Sequence, residues 1–195
     1  MGSLPRLVLA SASPRRAELL WMLGLRFDVQ PADLDETPER DEDPFDYVER
    51  LAKAKADEVA APGTIVIAAD TIVVLDGALL GKPTGDEDAR RMLRSLSGRT
   101  HEVVTCVAVA IGDGTVASFT ETTEVTFVEL SERDIEWYVQ TEEPLDKAGA
   151  YGIQGAGGLF VAAIAGNYHN VVGLPLTALA DLLTYDDYDL LDWAR

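Results

Sequence analysis

Cysteine and histidine are almost absent from this 195-residue chain, which has one cysteine, Cys106, and two histidines, His101 and His169. A single cysteine excludes an internal disulfide, and its place in the apolar run 103–109 is typical of a small buried hydrophobe. The histidines form no Cys/His cluster, which disfavours a structural zinc site. A hard cation such as Mg²⁺, bound by carboxylates and by substrate phosphates, is compatible with the sequence.

Basic residues are also scarce. The chain has 16 lysines and arginines against 34 acidic residues, which gives a net charge of −18. A general nucleic-acid binder or a protein of anionic membrane surfaces would present a basic face, so we predict neither partner. A small anionic ligand is not excluded, because the field in a cleft depends on local charges. Segment 32–49 carries nine acids against Arg40 alone, and we interpret it as a solvated loop and helix start.

Long hydrophobic runs are missing as well. No apolar stretch reaches the ~18 residues that span a membrane, and the short start, 1–6, predicts no signal peptide. With 47% hydrophobic and 26% charged residues, the composition is that of an ordinary globular protein. We therefore expect a cytoplasmic protein in which 1–195 forms a single domain.

The elements that are present alternate between strands and helices. Apolar runs and the Asp76-Gly77 turn signal predict strands over 7–10, 27–30, 64–69, 72–75, 79–80, 101–111, 116–128 and 159–164. Helical periodicity and capping residues predict helices over 14–23, 44–60, 86–96, 131–141 and 176–184. The pattern indicates an α/β fold with a mixed sheet, and its two longest strands are joined by Gly112-Asp113-Gly114.

The stretch SASPRR, residues 11–16, places two arginines where a helix least favours them. Ser13 is predicted as the N-cap and Pro14 as the first helical residue, so Arg15 and Arg16 fall in the first turn. That end of a helix carries partial positive charge and favours acids by about 0.3–1 kcal/mol. Free N–H groups, the hydroxyls of Ser11 and Ser13 and two guanidinium groups together suit a phosphate chain. The alternative is that both arginines pair with surface acids.

Three further stretches carry polar residues beside apolar runs. Asp70 is expected to end a buried strand, where a carboxylate can act as a general base or hold a metal, and Lys82 lies between Gly81 and Pro83. Because residues two apart on a helix point to different sides, only one of Lys53 and Lys55 is expected to face a site.

The segment 146–158 has five glycines in thirteen residues, which predicts close backbone approach or unusual φ angles. Within it, Lys147 and Gln154 are the polar side chains that can reach outward. A glutamine both donates and accepts, so Gln154 can match the edge of a base. A mobile surface loop is the alternative interpretation.

The motifs SASPRR, AADTIVV, GKP, GRTHEVVT and KAGAYGIQG follow one another in this order, and with them the chain resembles the Maf family over 7–183. The family consists of nucleoside triphosphate pyrophosphatases, which cleave a nucleoside triphosphate to the monophosphate and pyrophosphate. The form KAGAYGIQG is similar to the branch that acts on dTTP and UTP. The resemblance implies a mixed twisted sheet flanked by helices, with two lobes around a central cleft, similar to the inosine triphosphate pyrophosphatases. It also implies a divalent cation, Mg²⁺ or Mn²⁺, and a homodimer.

The resemblance also implies roles for single residues. It makes Asp70 the proton acceptor, and it places Glu36 beside Asp70 as a candidate metal ligand. The positions linked to substrate choice are Arg15, Thr71 and Gln154, and those linked to the phosphates are Ser11, Arg16, Lys55 and Lys82. Whether Asp70 is base or metal ligand is left open at this point.

Three alternative functions are kept beside this one. The chain could cleave modified nucleotides, or it could bind nucleotides without turnover as a regulator of cell division and septum formation. A phosphatase that releases single phosphates is the third.

Overall fold

The structure, a computed structural model, describes residues 4–112 and 114–194. The strands of this part are β1 (Arg6–Leu9), β2 (Asp28–Val29), β3 (Thr64–Leu75), β4 (Ala78–Leu80), β5 (Thr100–Ile111), β6 (Thr115–Phe127) and β7 (Val161–Ala165). The helices are α1 (Pro14–Met22), α2 (Pro44–Val59), α3 (Asp86–Leu96), α4 (Glu132–Val139), α5 (Tyr168–Val172) and α6 (Leu176–Thr184). The predicted strands 64–69 and 72–75 form the single strand β3, and every other predicted element is present with ends that differ by at most two residues. Short 3₁₀ helices at 143–146, 148–150, 156–160 and 190–193, and helix α5, were not predicted.

The strands form one mixed sheet in the order β2-β1-β3-β5-β6-β7, and β4 pairs with β3 outside this path. Strand β1 is parallel to both β2 and β3, whereas β4 and β7 run antiparallel to their neighbours. The predicted α/β class with a mixed sheet is therefore confirmed. Strand β3 is almost entirely buried, as the continuous apolar run over its first half, 64–69, predicts.

The prediction that Asp70 ends a strand is wrong. Strand β3 runs without interruption from Thr64 to Leu75, and Asp70 lies in its middle. The strand changes neighbours there: its first residues pair with β1 up to Ile67, and its last three, from Val73, pair with β4. A polar residue between two paired stretches resembles a strand end in the sequence, because in both cases the apolar run stops.

Helix α2 begins as predicted, whereas α1 differs in its cap. The Asp43 carboxylate accepts a hydrogen bond from the Phe45 amide at 2.8 Å and caps α2. Ser13 occupies the N-cap position of α1, but its side chain makes no capping hydrogen bond. Instead its own amide donates to the Ser11 hydroxyl at 3.2 Å. The predicted capping role of Ser13 is therefore wrong, while Pro14 is the first helical residue.

The chain divides into two compact units, each built from separate segments. The first contains residues 1–70, 105–121 and 173–195, and the second contains 71–104 and 122–172. The core of the second unit includes Met92, Phe127, Tyr138 and Phe160, all nearly inaccessible to solvent. That 1–195 acts as a single functional domain stays a prediction.

Several smaller predictions can also be compared with the structure. Cys106 is fully buried in β5, as expected. Among the described residues, no helix combines the length and the apolar character that crossing a bilayer requires. Two predictions fall on residues that the structure does not describe. One is the absence of a signal peptide, which concerns residues 1–3, and the other is the connection 112–114, which contains Asp113.

Candidate functional site

A lysine in the first unit is held between two carboxylates. Lys55 Nζ lies 2.6 Å from Asp70 Oδ1 and 2.5 Å from Glu36 Oε1. The Lys55 and Asp70 side chains are 11% and 13% exposed, so this pair is largely shielded from water. The neighbouring Lys53, 45% exposed, pairs with Glu49 on the surface, which confirms that the two lysines point to different sides.

Asp70 uses one of its two carboxylate oxygens in this contact. Oδ1 accepts the hydrogen bond from Lys55, while Oδ2 accepts none from the residues that the structure describes. Removing one partner of a buried ion pair is far more costly than removing a surface pair, because the remaining charge is left uncompensated. Lys55 therefore engages one oxygen of Asp70 and leaves the other without a partner among the described residues.

Tyr47 is a member of this group that sequence reasoning missed. Its hydroxyl donates to the Glu36 carbonyl oxygen at 2.8 Å and so fixes the backbone that carries the Glu36 carboxylate. Burial raises the pKa of Tyr47 to about 12, and the charges of Asp70 and Glu36 act in the same direction. The signal was present in the helix pattern, since Tyr47 lies eight residues before Lys55 on the same face of α2.

Arg16 points back into the protein. Its Nε donates to the Gly173 carbonyl at 2.7 Å, and its Nη1 donates to the Ser11 hydroxyl at 3.0 Å. Burial lowers the pKa of the Arg16 guanidinium, and the charge of Arg15 adds to this effect, while the charges of Asp70 and Glu36 oppose it. Arg16 therefore joins the start of α1 to the chain at Gly173.

Arg15 differs from its neighbour. It is half-buried, and within 4–112 and 114–194 its side chain has no hydrogen bond or ion pair. The alternative that both arginines pair with surface acids is therefore wrong for Arg15, which keeps its five N–H donors at the positive end of α1. One guanidinium of the pair is thus held by the fold, and the other is available to an anion.

The described residues include no group of three or more histidine, cysteine and acidic side chains that could hold a metal. Glu36 and Asp70 supply two carboxylates whose oxygens converge on the Lys55 ammonium. Mg²⁺ is commonly held by one or two carboxylates together with substrate phosphates and water. The two carboxylates are oxygen ligands of the kind that such a cation takes, while the point on which they converge holds the Lys55 ammonium.

The second unit contains the other predicted site residues. Thr71 is half-buried in β3, and Lys82 is exposed just after β4. Gln154 is exposed in the glycine-rich segment, and its side-chain amide forms no hydrogen bond with the part of the chain that the structure describes. Its amide is therefore able to pair with a ligand.

The histidine of β5, His101, is buried among aromatic rings. His101 is 2% exposed, and its Nε2 lies 2.9 Å from the Tyr151 hydroxyl. The rings of Phe127 and Tyr151 meet it edge-on. Burial lowers the pKa of His101 to about 4, so the ring is neutral at pH 7.

Comparison with known proteins places these features in context. A family model described as Maf-like protein matches residues 6–185. A protein from Anaeromyxobacter dehalogenans (strain 2CP-C), named dTTP/UTP pyrophosphatase, is 58% identical over 92% of this chain and 93% of its own. A protein of the same name from Symbiobacterium thermophilum is 50% identical over 95% of this chain and 96% of its own. The solved structure of the Staphylococcus aureus Ham1 protein is similar with a TM-score of 0.43 and 18% identity, over 63% of this chain and 71% of that chain.

Proposed function

This chain belongs to the Maf family, and from that premise we propose that it hydrolyses nucleoside triphosphates to the monophosphate and pyrophosphate, with dTTP and UTP as substrates. The substrate is supported by relatives named dTTP/UTP pyrophosphatase, which match more than nine-tenths of this chain at 50–58% identity. The hydrolysis step is supported by the contacts of Asp70, Lys55 and Arg15 in the first unit.

The observation that carries the proposal is the open oxygen of Asp70. Lys55 holds Oδ1 and leaves Oδ2 without a partner among the described residues. Asp70 takes a proton from water at Oδ2, and the resulting hydroxide forms a bond to the α phosphorus. The bond from this phosphorus to the bridging oxygen breaks, and pyrophosphate leaves with the electron pair. General base catalysis of this kind contributes roughly 10²–10⁴-fold in rate.

Arg15 is the residue that we expect to meet the phosphates directly. Its guanidinium has no partner among the described residues, and its planar donors can bind two phosphate oxygens at once. Arg16 and Ser11 support it by fixing the start of α1. Lys82 adds a further cation on the phosphate side, and each such charged hydrogen bond is worth about 1.5–3 kcal/mol.

Nucleotide pyrophosphatases of this family generally use divalent metals. We expect Mg²⁺ or Mn²⁺ to be held by Glu36 and Asp70 together with the substrate phosphates, and the bound cation would neutralise charge on the phosphate oxygens. The assignment is supported by the type of ligand, since both residues supply carboxylate oxygens and both lie against the same ammonium group.

Base selection is assigned to the second unit. The exposed amide of Gln154 can donate to one atom and accept from another, which suits the amide-like edge of thymine or uracil. Thr71 follows Asp70 directly in β3, and we expect it to contribute to the same choice.

The test is a substrate panel with matched variants. Purified protein is incubated with dTTP, UTP, CTP and GTP in the presence of Mg²⁺ or Mn²⁺, and pyrophosphate and orthophosphate are measured separately. We expect pyrophosphate from dTTP and UTP, and a loss of about 10²-fold or more in kcat for Asp70→Asn. Asp57→Asn, an exposed change on α2, is the control and is expected to retain full activity.

Other outcomes would contradict the proposal in different ways. Orthophosphate as the first product indicates a phosphatase, and binding without turnover indicates a regulator. A folded Asp70→Asn protein with near-normal kcat would remove Asp70 from the mechanism. The cytoplasmic location and the homodimer stay predictions, and sedimentation of the purified protein tests the second.

A further inference from the structure

The glycine-rich segment around Gln154 is tied at both ends. Gln154 stands exposed between Gly152, which is buried, and the pair Ala156 and Gly157, which begins a short 3₁₀ helix. The ties come from two side chains of the same unit, Tyr138 at the end of α4 and Glu143 at the start of another 3₁₀ helix.

The carboxylate of Glu143 holds the far end of the segment. Its Oε2 accepts a hydrogen bond from the Ala156 amide at 2.9 Å, and its Oε1 accepts one from the Gly157 amide at 3.3 Å. Oε1 also accepts the hydroxyl of Tyr138 at 2.8 Å. Hydrogen bonds to an ionised acceptor are about twice as strong as those between neutral groups.

The hydroxyl of Tyr138 holds the near end. Its oxygen accepts the Gly152 amide at 3.1 Å while its proton goes to Glu143. The ring is fully buried and meets Phe160 edge-on with 5.0 Å between centroids, so the hydroxyl has little freedom to move. One hydrogen-bonded pair of side chains therefore fixes the backbone on both sides of Gln154.

The glycines of the segment are required by this arrangement. A Cβ at Gly155 would overlap the Glu143 carboxylate, and one at Gly157 would lie 2.5 Å from the Tyr138 hydroxyl. A Cβ at Gly152 would lie 2.7 Å from Lys147 Cε, and Lys147 Nζ in turn donates to the Glu143 carbonyl at 2.7 Å. The glycines thus permit close approach of the backbone to the two side chains rather than free movement.

We propose that Tyr138 and Glu143 form a clamp that holds the backbone of residues 152–157 in one conformation, so that Gln154 is presented to the base without a cost of ordering this backbone at the moment of binding. They are positioning residues for pyrimidine selection, and this role rests on the proposed function. Backbone that is already ordered loses less entropy when a ligand binds the side chain it carries, and this gain is largest for the ligand whose edge matches that side chain. The clamp should therefore favour dTTP and UTP over other nucleotides rather than speed cleavage of all of them.

The variants Tyr138→Phe and Glu143→Gln each remove part of the clamp while keeping the size of the side chain. We expect each to raise KM for dTTP and UTP by about tenfold, with kcat within about twofold, and to reduce the preference for these nucleotides over GTP. Amide hydrogen exchange at Ala156 and Gly157 should accelerate. Because the two residues act as one unit, the double variant should lose no more than about the larger single effect.

Two matched variants serve as controls. Glu142→Gln removes an adjacent carboxylate that makes no hydrogen bond or ion pair with the described residues, and Tyr168→Phe removes the hydroxyl of an exposed tyrosine that donates to none of them. Neither should alter KM, nucleotide preference or exchange. Thermal unfolding is measured for all variants, so that a general loss of stability is seen separately.

The outcomes separate this inference from the proposed function. Suppose that the wild-type protein cleaves dTTP and UTP, and that the clamp variants keep the wild-type KM values, nucleotide preference and amide exchange. The clamp is then refuted, while the proposed function stands. A lower unfolding temperature with unchanged KM and preference likewise refutes it, because the pair would then only stabilise the fold. A wild-type protein that cleaves neither nucleotide refutes the proposed function, and the role in base selection falls with it.

Discussion

Substitution of the two adjacent arginines of α1 should affect different properties, protein stability in one case and substrate binding in the other. Arg16→Ala removes hydrogen bonds within the protein, among them those to the Gly173 carbonyl and to the Ser11 hydroxyl. Arg15→Ala removes a side chain that has no hydrogen bond or ion pair in the part of the chain that the structure describes. We therefore expect Arg16→Ala to reduce stability, and Arg15→Ala to weaken substrate binding at unchanged stability.

The magnitude follows from the contacts of Arg16. The Gly173 residue is buried, and a buried acceptor that loses its partner costs about 1–3 kcal/mol. Adding the charged hydrogen bond to Ser11 gives a loss of about 2–4 kcal/mol for Arg16→Ala. In a protein of this size that corresponds to a fall of roughly 5–15 °C in Tm. Arg15→Ala should change the free energy of unfolding by less than about 0.5 kcal/mol.

The assay combines thermal unfolding, followed by circular dichroism, with the kinetics of pyrophosphate release from dTTP. Arg15→Ala should keep the wild-type Tm and raise KM by about tenfold or more, the equivalent of one lost charged hydrogen bond. Equal destabilisation by both variants would refute the division of roles. So would an Arg16→Ala protein with the wild-type Tm, since its contacts would then contribute nothing.

Two further predictions concern the base and the buried histidine. Gln154→Ala should change the ranking of dTTP, UTP and CTP in kcat/KM more than it slows the best substrate, whereas a uniform loss would show that Gln154 only supports its loop. Burial lowers the pKa of His101 to about 4, whereas the pKa of a histidine in an unfolded chain is about 6.5. Between pH 4 and pH 6.5 the unfolded chain therefore binds a proton at this residue that the folded chain does not bind. Stability should therefore fall by about 3 kcal/mol as pH drops from 6.5 to 4. Urea unfolding across this range measures the loss, and His101→Phe, if folded, should lack most of it.

Much of the fold could be predicted because its signals are local. Helix α3 was predicted at its observed bounds, since its apolar face and its first-turn acids lie within eleven residues. The continuity of β3 through Asp70 could not be predicted in this way, because it depends on which strands pair on either side.

In the candidate site too, features set by local sequence could be predicted and those set by distant contacts could not. That only one of Lys53 and Lys55 would turn inward follows from helix geometry, and the structure confirms it. The different contacts of Arg15 and Arg16 could not be read from the sequence, because the acceptor of Arg16 is a carbonyl 157 residues away. A backbone acceptor carries no side-chain signature, so no motif could have indicated it.

The interleaved segments of the two units have a consequence for any attempt to separate them. Three of the places where the chain passes from one unit to the other fall inside strands β3, β5 and β6, and the fourth follows α5. A truncation at any of the three crossings in β3, β5 and β6 would cut a strand, and the backbone donors and acceptors of the remaining part would lose their partners. Neither unit can be obtained as a continuous fragment, and a library of shortened or spliced chains should yield soluble protein only where the joints avoid these strands.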